Sequence, residues 1–448
     1  MVIHQTHMLT RTYFFIILLS LSLISCNQDT SDFTRFELLN SELSGVNFVN
    51  QLTETDSINA YNYLYIYNGS GVGIADFNND GLQDIFFGGN MTSSKLYVNK
   101  GELKFEDLTQ ESGLMTQRWV HGVSVVDINS DGFLDIYLSV GGLEIGQSSE
   151  NMLFVNNGDL TFSEQSSQYG LNESKLTTHT AFFDYDKDGD LDAYLINYEN
   201  NPQKDPTAVR RKKYDGKLIS NDRLYRNENG RFVDVSSDAG INQEGYGLGL
   251  AINDFNHDGW PDIYVSNDFT FDDYLYINNQ DGTFSDNIRE YVKHTSNFGM
   301  GVDIADINND GHSDMFQVDM LPEDNRRQKK LLSGLNYDRF QLLTNSGYIP
   351  QYMRNSLQLN SGESTFNEIG LLSGMSSTDW SWAPLIADLD NNGNKDVFIT
   401  NGYVKDVTDV DFRDFVISEN QRRNAVFDPN VVISALRDLK GEMVPNYA

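Results

Sequence analysis

The sequence has few basic residues. It contains 32 Lys and Arg against 65 Asp and Glu in 448 residues, and its formal net charge at pH 7 is −33. A nucleic-acid-binding surface needs clustered positive charge to displace counterions, so this composition excludes nucleic acid as a partner. Cysteine occurs once in the whole chain, which excludes an internal disulfide. Stability must therefore come from packing or from bound ions.

Long hydrophobic runs are missing as well. The apolar stretch at residues 12–25 has 14 residues and ends just before Cys26. A membrane-spanning helix takes about 20 residues, so this stretch predicts the core of a signal peptide. Residues 23–26 resemble a bacterial lipobox, in which the cysteine becomes a lipidated N-terminus. We expect a lipoprotein signal peptide at residues 1–25, a lipid on Cys26 that contacts the membrane, and a polar tether at residues 26–35. The alternative is an ordinary cleaved signal with an incidental cysteine.

The sequence is rich in a nine-residue acidic loop, D-x-[D/N]-x-[D/N]-G-x-x-D. Positions 1, 3, 5 and 9 hold only Asp or Asn, and position 6 is glycine in all six copies. The copies begin at Asp76, Asp127, Asp184, Asp254, Asp306 and Asp388. Short oxygen-bearing side chains at alternate positions converge on one point only if the backbone turns sharply, which glycine allows. The pattern predicts oxygen ligands for a hard divalent cation, calcium.

An EF-hand begins with the same spacing, but it needs a glutamate at position 12 and a helix afterwards. Position 12 is never glutamate here, and β-type runs follow the loops. Position 7 varies in residue type, so we expect it to contribute its backbone carbonyl. We expect about six structural calcium ions; the alternative is a set of solvated turns without ions. The predicted ligands are Asp76, Asn78, Asp80, Leu82, Asp84, Asp127, Asn129, Asp131, Phe133, Asp135, Asp184, Asp186, Asp188, Asp190, Asp192, Asp254, Asn256, Asp258, Trp260, Asp262, Asp306, Asn308, Asp310, His312, Asp314, Asp388, Asp390, Asn392, Asn394 and Asp396.

Short strands flank the loops, and hairpins with Asn/Gly turns follow them. The hairpins occupy residues 95–105, 152–162, 223–232, 274–284 and 356–366. Each unit therefore supplies about four strands, the content of one propeller blade. Glycine pairs that precede several loops do not match a dinucleotide-binding fingerprint, because the third glycine is missing and no helix begins there.

Over roughly residues 65–405, the loops and hairpins resemble the FG-GAP/VCBS repeat family. The chain is also similar to Bacteroidota envelope lipoproteins. The resemblance implies an integrin-α-like, calcium-binding β-propeller involved in adhesion or glycan contact, located at the outer membrane and exposed at the cell surface. We expect an all-β fold over residues 36–448, a β-propeller of six to seven four-stranded blades. Small helical insertions are expected near residues 198–221, 321–353 and 405–440.

The ends of the propeller leave two expectations open. Residues 36–49 resemble the tail of a repeat that lacks its own metal loop. They would complete the last blade of a six-bladed ring, because closure protects the edges of the sheets. Alternatively, the chain is a C-terminally truncated fragment of a seven-bladed ring, because residues 445–448 resemble the start of another hairpin strand.

Aromatic residues recur eight positions before the loops, at the start of the preceding strand. Innermost propeller strands converge on the axis, so these residues would form a ring at one mouth of the channel, where they could stack on sugars. The alternative is packing between blades. The candidate ligand-binding residues are Trp119, His121, His179, Tyr246, Phe298, Trp380 and Trp382.

Two basic stretches, residues 210–213 and 326–330, interrupt the acidic sequence. They would either hold anionic sugars or form a solvated face. No catalytic motif such as H-E-x-x-H, a P-loop or G-x-S-x-G occurs, so no catalytic residue is predicted. We expect a surface binding or adhesion module for glycans or partner proteins. The alternative is a carbohydrate-active enzyme, a polysaccharide lyase or glycosidase, on a propeller scaffold.

Overall fold

The computed structural model describes residues 36–142, 149–331, 337–362, 365–423 and 428–448. The predicted signal peptide, the lipidation site Cys26 and the tether lie outside these residues. The chain divides into two compact units, residues 1–40 and Ser41–Ala448. Residues 36–40 of the first unit have no helix or strand. Within the described ranges, no helix combines the length and the apolar character needed to cross a membrane.

The second unit consists of antiparallel sheets that follow one another along the chain. A short helix, α1 (Ser41–Ser44), precedes them. The first blade contains β1 (Val72–Ala75), β2 (Asp84–Phe87), β3 (Lys95–Asn99) and β4 (Phe105–Asp107). The second contains β5 (Val120–Val126), β6 (Asp135–Val140), β7 (Met152–Asn156) and β8 (Phe162–Glu164), followed by α2 (Ser166–Tyr169). The third contains β9 (Leu176–Phe183), β10 (Asp192–Tyr198), β11 (Arg223–Asn227) and β12 (Phe232–Asp234).

The next two blades have the same strand order, with an insertion. The fourth contains β13 (Gly247–Asn253), β14 (Asp262–Asn267), β15 (Tyr274–Asn278) and β16 (Phe284–Asp286), followed by α3 (Ile288–Tyr291). The fifth contains β18 (Val302–Ala305), β19 (Asp314–Gln317), β21 (Ser356–Asn360) and β22 (Phe366–Glu368), followed by α6 (Gly370–Ser373). The insertion carries α4 (Asn325–Leu331) and α5 (Tyr337–Asn345). A parallel pair, β17 (Thr295–Ser296) and β20 (Gln351–Tyr352), flanks it.

The sixth blade has two strands among the described residues, β23 (Ser381–Ala387) and β24 (Asp396–Asn401). Tyr447 adds an antiparallel bridge to Ile399, at the position where the third strand pairs in the other blades. Two helices, α7 (Val410–Arg422) and α8 (Pro429–Asp438), lie between β24 and this bridge. The prediction of an all-β fold with four-stranded antiparallel units is confirmed, and the architecture is propeller-like. The predicted blade number and ring closure stay predictions.

The hydrophobic core lies between neighbouring blades. The second strand of several blades is buried on both faces, as in β6 and β10. Phe86 of the first blade and Ile136 of the second share one cluster, while Tyr137 on the opposite face of the second blade packs with Leu195 of the third. Each blade therefore contributes one face to the cluster before it and the other to the cluster after it. A single blade could not bury both faces alone.

The glycines before the loops have a packing role. They lie on innermost strands, where the backbones of adjacent blades approach closely. A Cβ atom on Gly249 would lie 2.7 Å from the carbonyl oxygen of Met300, and one on Gly301 would lie 2.5 Å from that of Trp382. The Gly301 amide donates a hydrogen bond to the same Trp382 oxygen at 2.8 Å. A side chain at these positions would separate the inner strands. Close packing therefore explains why glycine recurs there, and no nucleotide-binding role is needed.

Candidate metal loops and channel mouth

All six acidic loops join the first strand of a blade to the second. In each, the carboxylate at position 1 accepts hydrogen bonds from the amides of positions 5 and 6. In the first loop these run from Asp80 and Gly81 to Asp76, at 3.0 and 2.7 Å, and the other five loops repeat the pair. The residue at position 5 accepts from the amide of position 7 in every loop. These bonds fix the turn that brings the acidic side chains together.

Position 4 has a backbone conformation that sequence analysis missed. Glycine at position 6 has a positive φ in all six loops, but so does the non-glycine residue at position 4. The position-4 residues are Asn79, Ser130, Lys187, His257, Asn309 and Asn391, with φ between 56° and 59°. Asparagine tolerates this left-handed region better than most residues, which accounts for its recurrence here. The loop therefore turns twice, once at position 4 and once at position 6.

The aspartate at position 9 connects the loop to the third strand through hydrogen bonds. One oxygen accepts the amide of position 2, and the other accepts the amide of an asparagine in the third strand. In the second blade, Asp135 accepts from Ile128 at 2.9 Å and from Asn156 at 2.7 Å. Both bonds recur at Asp84, Asp192, Asp262 and Asp314. Burial raises the pKa of Asp135 to about 6 and those of Asp192 and Asp262 to about 7.

The third-strand asparagine is the second missed element. The Asn156 side chain donates to the carbonyl of Phe77 in the previous blade's loop at 2.8 Å, and to that of Leu134 in its own loop at 3.1 Å. Its side-chain oxygen accepts the amide of Gly158 in the hairpin turn at 3.0 Å. Asn278 repeats the contacts to two neighbouring loops. The recurring Asn in the hairpins was visible in sequence, but only as a turn residue.

In two of the six loops, carboxylates of the predicted metal ligands are brought close together, while the ligand assignment itself stays a prediction. In the third loop, carboxylate oxygens of Asp184, Asp186 and Asp188 lie within 4.8 Å of one another. One buried oxygen of Asp186 and one of Asp190 have no hydrogen-bond partner. Burial and neighbouring carboxylates raise the pKa of both groups. In the sixth loop, Asp388, Asp390 and Asp396 form a similar group. The donors are all oxygens, so the residues present fit the hard cation expected from the sequence.

Neighbouring loops contact one another at one end of the blades. The side-chain amide of Asn79 donates to the carbonyl of Gly132 in the next loop at 3.0 Å, and Asn309 makes the same contact to Gly393 at 3.1 Å. Lys187 lies over the ring of Trp260, 4.7 Å from its centroid. The residue at position 4 therefore connects each of these loops to the next one.

The aromatic residues expected at the channel mouth lie at the opposite ends of the inner strands. Trp119, Tyr246 and Trp380 are 6%, 2% and 5% exposed. His121 is also buried, while His179, Phe298 and Trp382 are half-buried. That these residues stack on sugars stays a prediction. In the structure, their side chains contact other side chains of the protein.

A segment of the chain's own N-terminal region packs against Trp119 and shares a hydrophobic cluster with Tyr246. Tyr63 meets Trp119 edge to face with 4.8 Å between ring centroids. Tyr67 makes a similar contact with Tyr403, and Tyr403 stacks on Trp380 at 3.9 Å. Tyr63, Tyr65, Ile66 and Tyr67 are all buried. Residues 63–67 therefore form a buried aromatic plug, which no repeat motif revealed, and its contact with Trp119 favours the packing alternative for that residue.

His121 is part of the plug's anchoring. Its Nε2 lies 2.7 Å from the hydroxyl of Tyr63, which also donates to the carbonyl of Gly141 at 2.7 Å. The Tyr198 hydroxyl donates to the same carbonyl. Burial lowers the pKa of His121 to about 4, so the ring is neutral at physiological pH. A neutral, buried and hydrogen-bonded imidazole fixes the position of Tyr63.

The two basic stretches are engaged in internal ion pairs. Arg327 is 6% exposed and contacts Asp379 at 2.6 Å and Asp406 at 3.1 Å. In the other stretch, Arg210 pairs with Glu244 at 3.0 Å, and Lys212 pairs with Asp272. Both interpretations from the sequence, an anion-binding patch and a solvated face, are therefore wrong for the buried Arg327, and they stay predictions for the exposed residues of the two stretches. The partners lie far away in sequence, so no local pattern indicates them.

A cavity missed by the sequence analysis lies beside the insertion that carries α4 and α5. Its volume is about 610 Å³. Phe340 and Tyr352 line it as stacked rings with 5.6 Å between centroids. Arg354 lies over the Tyr352 ring at 5.1 Å and contacts Glu368 at 3.0 Å. Asn297 and Gln351 also line the cavity.

Asn156→Ala tests the importance of the third-strand asparagine. The substitution removes bonds to Phe77, Leu134 and Gly158, and we expect the free energy of unfolding to fall by about 2–3 kcal/mol in chemical denaturation. Asn157→Ala, an exposed neighbour in the same turn, is the control and should cost under about 1 kcal/mol. Equal small effects of both substitutions would contradict the role assigned to Asn156.

Comparison with known proteins identifies the repeats. FG-GAP-like repeats match residues 76–138 and 215–265. Cartilage acidic protein 1 of Xenopus tropicalis is 27% identical over 201 residues, covering 44% of this chain and 28% of that protein. The chain therefore spans little more than a quarter of that relative.

Two solved structures are similar at low identity. One is an Agrocybe aegerita lectin described as recognising non-reducing terminal N-acetylglucosamine, with 18% identity, 73% of each chain covered and a TM-score of 0.39. The other is the V. cholerae biofilm matrix protein Bap1, with 13% identity, 56% of this chain and 35% of that chain covered, and a TM-score of 0.32. The sequence match, and not these superpositions, shows that the chain carries FG-GAP-like repeats.

Proposed function

We propose that this protein is a calcium-stabilised binding module of the cell envelope and that its ligand is a glycan. The observation that carries the proposal is the cavity beside the insertion, because it combines aromatic rings with amide groups. Sugars present apolar ring faces that stack on aromatic side chains and hydroxyls that bond to amides. Trp119 and Trp380 are almost fully buried while Tyr352 is exposed, so the cavity is the better candidate site.

Hydrogen bonds to other protein groups hold the polar side chains of the cavity in place. The Asn297 amide donates to Gln351 at 3.0 Å, and the Gln351 amide donates to the carbonyl of Phe271 at 2.8 Å. Arg354 is held by Glu368, which leaves its guanidinium fixed over Tyr352. Tyr352 itself is 41% exposed. A site fixed in this way loses little conformational freedom when a ligand binds.

Calcium enters the proposal as a structural ion. Each loop would hold it with the oxygens at positions 1, 3, 5 and 9 and the carbonyl of position 7. The unpartnered oxygens of Asp186 and Asp190 support this role, and ion binding would offset the repulsion between clustered carboxylates. The ion would stabilise the turn that positions the aspartate at position 9 and its hydrogen bonds.

Calcium removal and pH should act on the same carboxyl groups. Burial raises the pKa values of Asp135, Asp192 and Asp262 to about 6 or 7 in the folded state. When EDTA has removed calcium, the folded protein therefore keeps protons on these groups at pH values where the unfolded chain has already released them. The contribution of these three groups to stability in EDTA is therefore greatest below the ordinary aspartate pKa and is lost as pH rises through 6 to 7. We expect EDTA to lower the melting temperature by at least about 5 °C at pH 7.5, and by less at pH 5. Scanning calorimetry with and without excess calcium measures this, and identical melting curves at pH 7.5 would argue against bound calcium.

Tyr352→Ala and Phe340→Ala test the cavity as a glycan site. On an array of neutral, uronic and sulfated oligosaccharides in calcium buffer, the unmodified protein should bind a defined subset. Each substitution should weaken that binding by about tenfold, because one stacking face is lost. Tyr214→Ala, which removes an exposed ring elsewhere, is the matched control.

The same experiment separates binding from catalysis. Assays for new reducing ends or unsaturated uronate on the bound oligosaccharides should show no turnover. Turnover would support the alternative, a polysaccharide lyase or glycosidase. Binding that both cavity variants retain in full would place the ligand elsewhere and contradict the assignment of the cavity.

The envelope location rests on the lipobox-like residues before Cys26. A lipid on this cysteine would hold the module at the membrane, with acyl chains contributing about 0.8 kcal/mol per buried methylene. Fatty-acid labelling of the expressed full chain should depend on Cys26, and labelling that persists in Cys26→Ser would contradict this part of the proposal.

A further inference from the structure

Two histidines from neighbouring acidic loops meet at their surface. His257 is at position 4 of the fourth loop, and His312 is at position 7 of the fifth. Their ring centroids are 4.8 Å apart with an interplanar angle of 60°. Nδ1 of His312 lies 2.9 Å from Nε2 of His257, a hydrogen bond in which one ring donates to the other, so a bound ion would replace the shared proton. His257 is exposed and His312 is half-buried, so a small ion could reach the pair.

The two imidazoles are held by their loops and not only by each other. His257 occupies the left-handed position-4 conformation, with φ of 57°. The backbone amide of His312 donates to Asp310 at 2.9 Å. The turn at Gly362 lies close to the other side of the His312 ring, where a Cβ atom would be 2.6 Å from its Nε2. The geometry of the pair is therefore set largely by the backbone.

The contact between loops does not require histidine. At equivalent junctions, Asn79 and Asn309 each donate one hydrogen bond to the following loop, and Lys187 lies over a tryptophan ring. Asparagine or lysine is thus sufficient to join loops. Two imidazoles at this junction supply something that the other junctions lack, namely paired nitrogen donors beside an acidic surface.

The separation of the nitrogens suits a particular class of metal ion. Imidazole nitrogens bind divalent ions at about 2.0–2.1 Å, and two nitrogens 2.9 Å apart would subtend about 90° at an ion placed at that distance from both. This is the angle between adjacent ligands in square-planar and octahedral complexes, which Cu²⁺ and Ni²⁺ form with nitrogen and oxygen donors. Tetrahedral zinc would require about 109°.

We propose that His257 and His312 form a binding site for a nitrogen-preferring divalent ion, of the Cu²⁺ and Ni²⁺ class, at the junction of the fourth and fifth loops. The donors differ from those proposed for calcium, because the site uses imidazole nitrogens while calcium would take oxygens, including the backbone carbonyl of His312 at position 7. Solvent would complete the coordination sphere. The carboxylate of Asp310, which interacts electrostatically with His312, favours a cation at this surface.

Copper binding to the untagged full chain, saturated with calcium, tests the site. Calorimetric titration with Cu²⁺ should show binding, and pulsed electron paramagnetic resonance should show two imidazole ligands on the same ion. His257→Asn and His312→Leu should each weaken this binding by about tenfold or more and leave one imidazole in the spectrum.

The chain supplies conservative forms of both variants. Asparagine occupies position 4 of the first loop and leucine occupies its position 7, so neither substitution should disturb folding or calcium binding. Lys187→Asn changes another junction in the same way and should leave the copper signal unchanged. Unaltered melting in calcium would show that a lost signal does not reflect unfolding. A two-imidazole spectrum that survives in either histidine variant, or its absence from the unmodified protein, would overturn the proposal.

Discussion

The constraint on which the structure depends is the burial of the ninth aspartate in five of the six acidic loops. In five blades its two oxygens connect the loop to the third strand through backbone amides. A buried carboxylate is costly unless its hydrogen-bonding capacity is used, and here it receives two amides at a point where three parts of the blade meet. The loop is therefore both the turn between two strands and the attachment of a third.

This arrangement links the net charge of the chain to its architecture. Acidic side chains cluster at one end of the blades because that is where each first strand turns into the second. The inner strands approach closely through glycine, the blades share hydrophobic clusters, and third-strand asparagines such as Asn156 connect one loop to the next. Calcium, as we propose it, would stabilise this acidic end, while residues 63–67 pack buried aromatic rings near the opposite ends of the inner strands.

Much of the fold could be predicted from the sequence because the repeats are local. The nine positions of a loop and the strands around it lie within one short stretch of sequence. The residue pattern of that stretch indicates the strands, the turn and the hairpin. The buried ion pairs of Arg327 and the plug containing Tyr63 could not be predicted in this way, because their partners lie 50 residues or more away. Trp119, Tyr246 and Trp380 of the aromatic series lie one residue before the inner strands that they were expected to begin, and no sequence pattern indicated what covers them. Phe340 and Tyr352 belong to an insertion without any repeat, so only the fold could bring them together.

Both functional proposals depend on correctly folded loops. The glycan cavity requires a correctly assembled fifth blade, and the histidine pair requires the correct turns in two neighbouring loops. The most direct measurement is the calcium content of the purified full chain, determined by equilibrium dialysis with a radioactive calcium isotope. The account predicts close to six ions per chain, one for each acidic loop. A stoichiometry of zero or one at millimolar free calcium would contradict it.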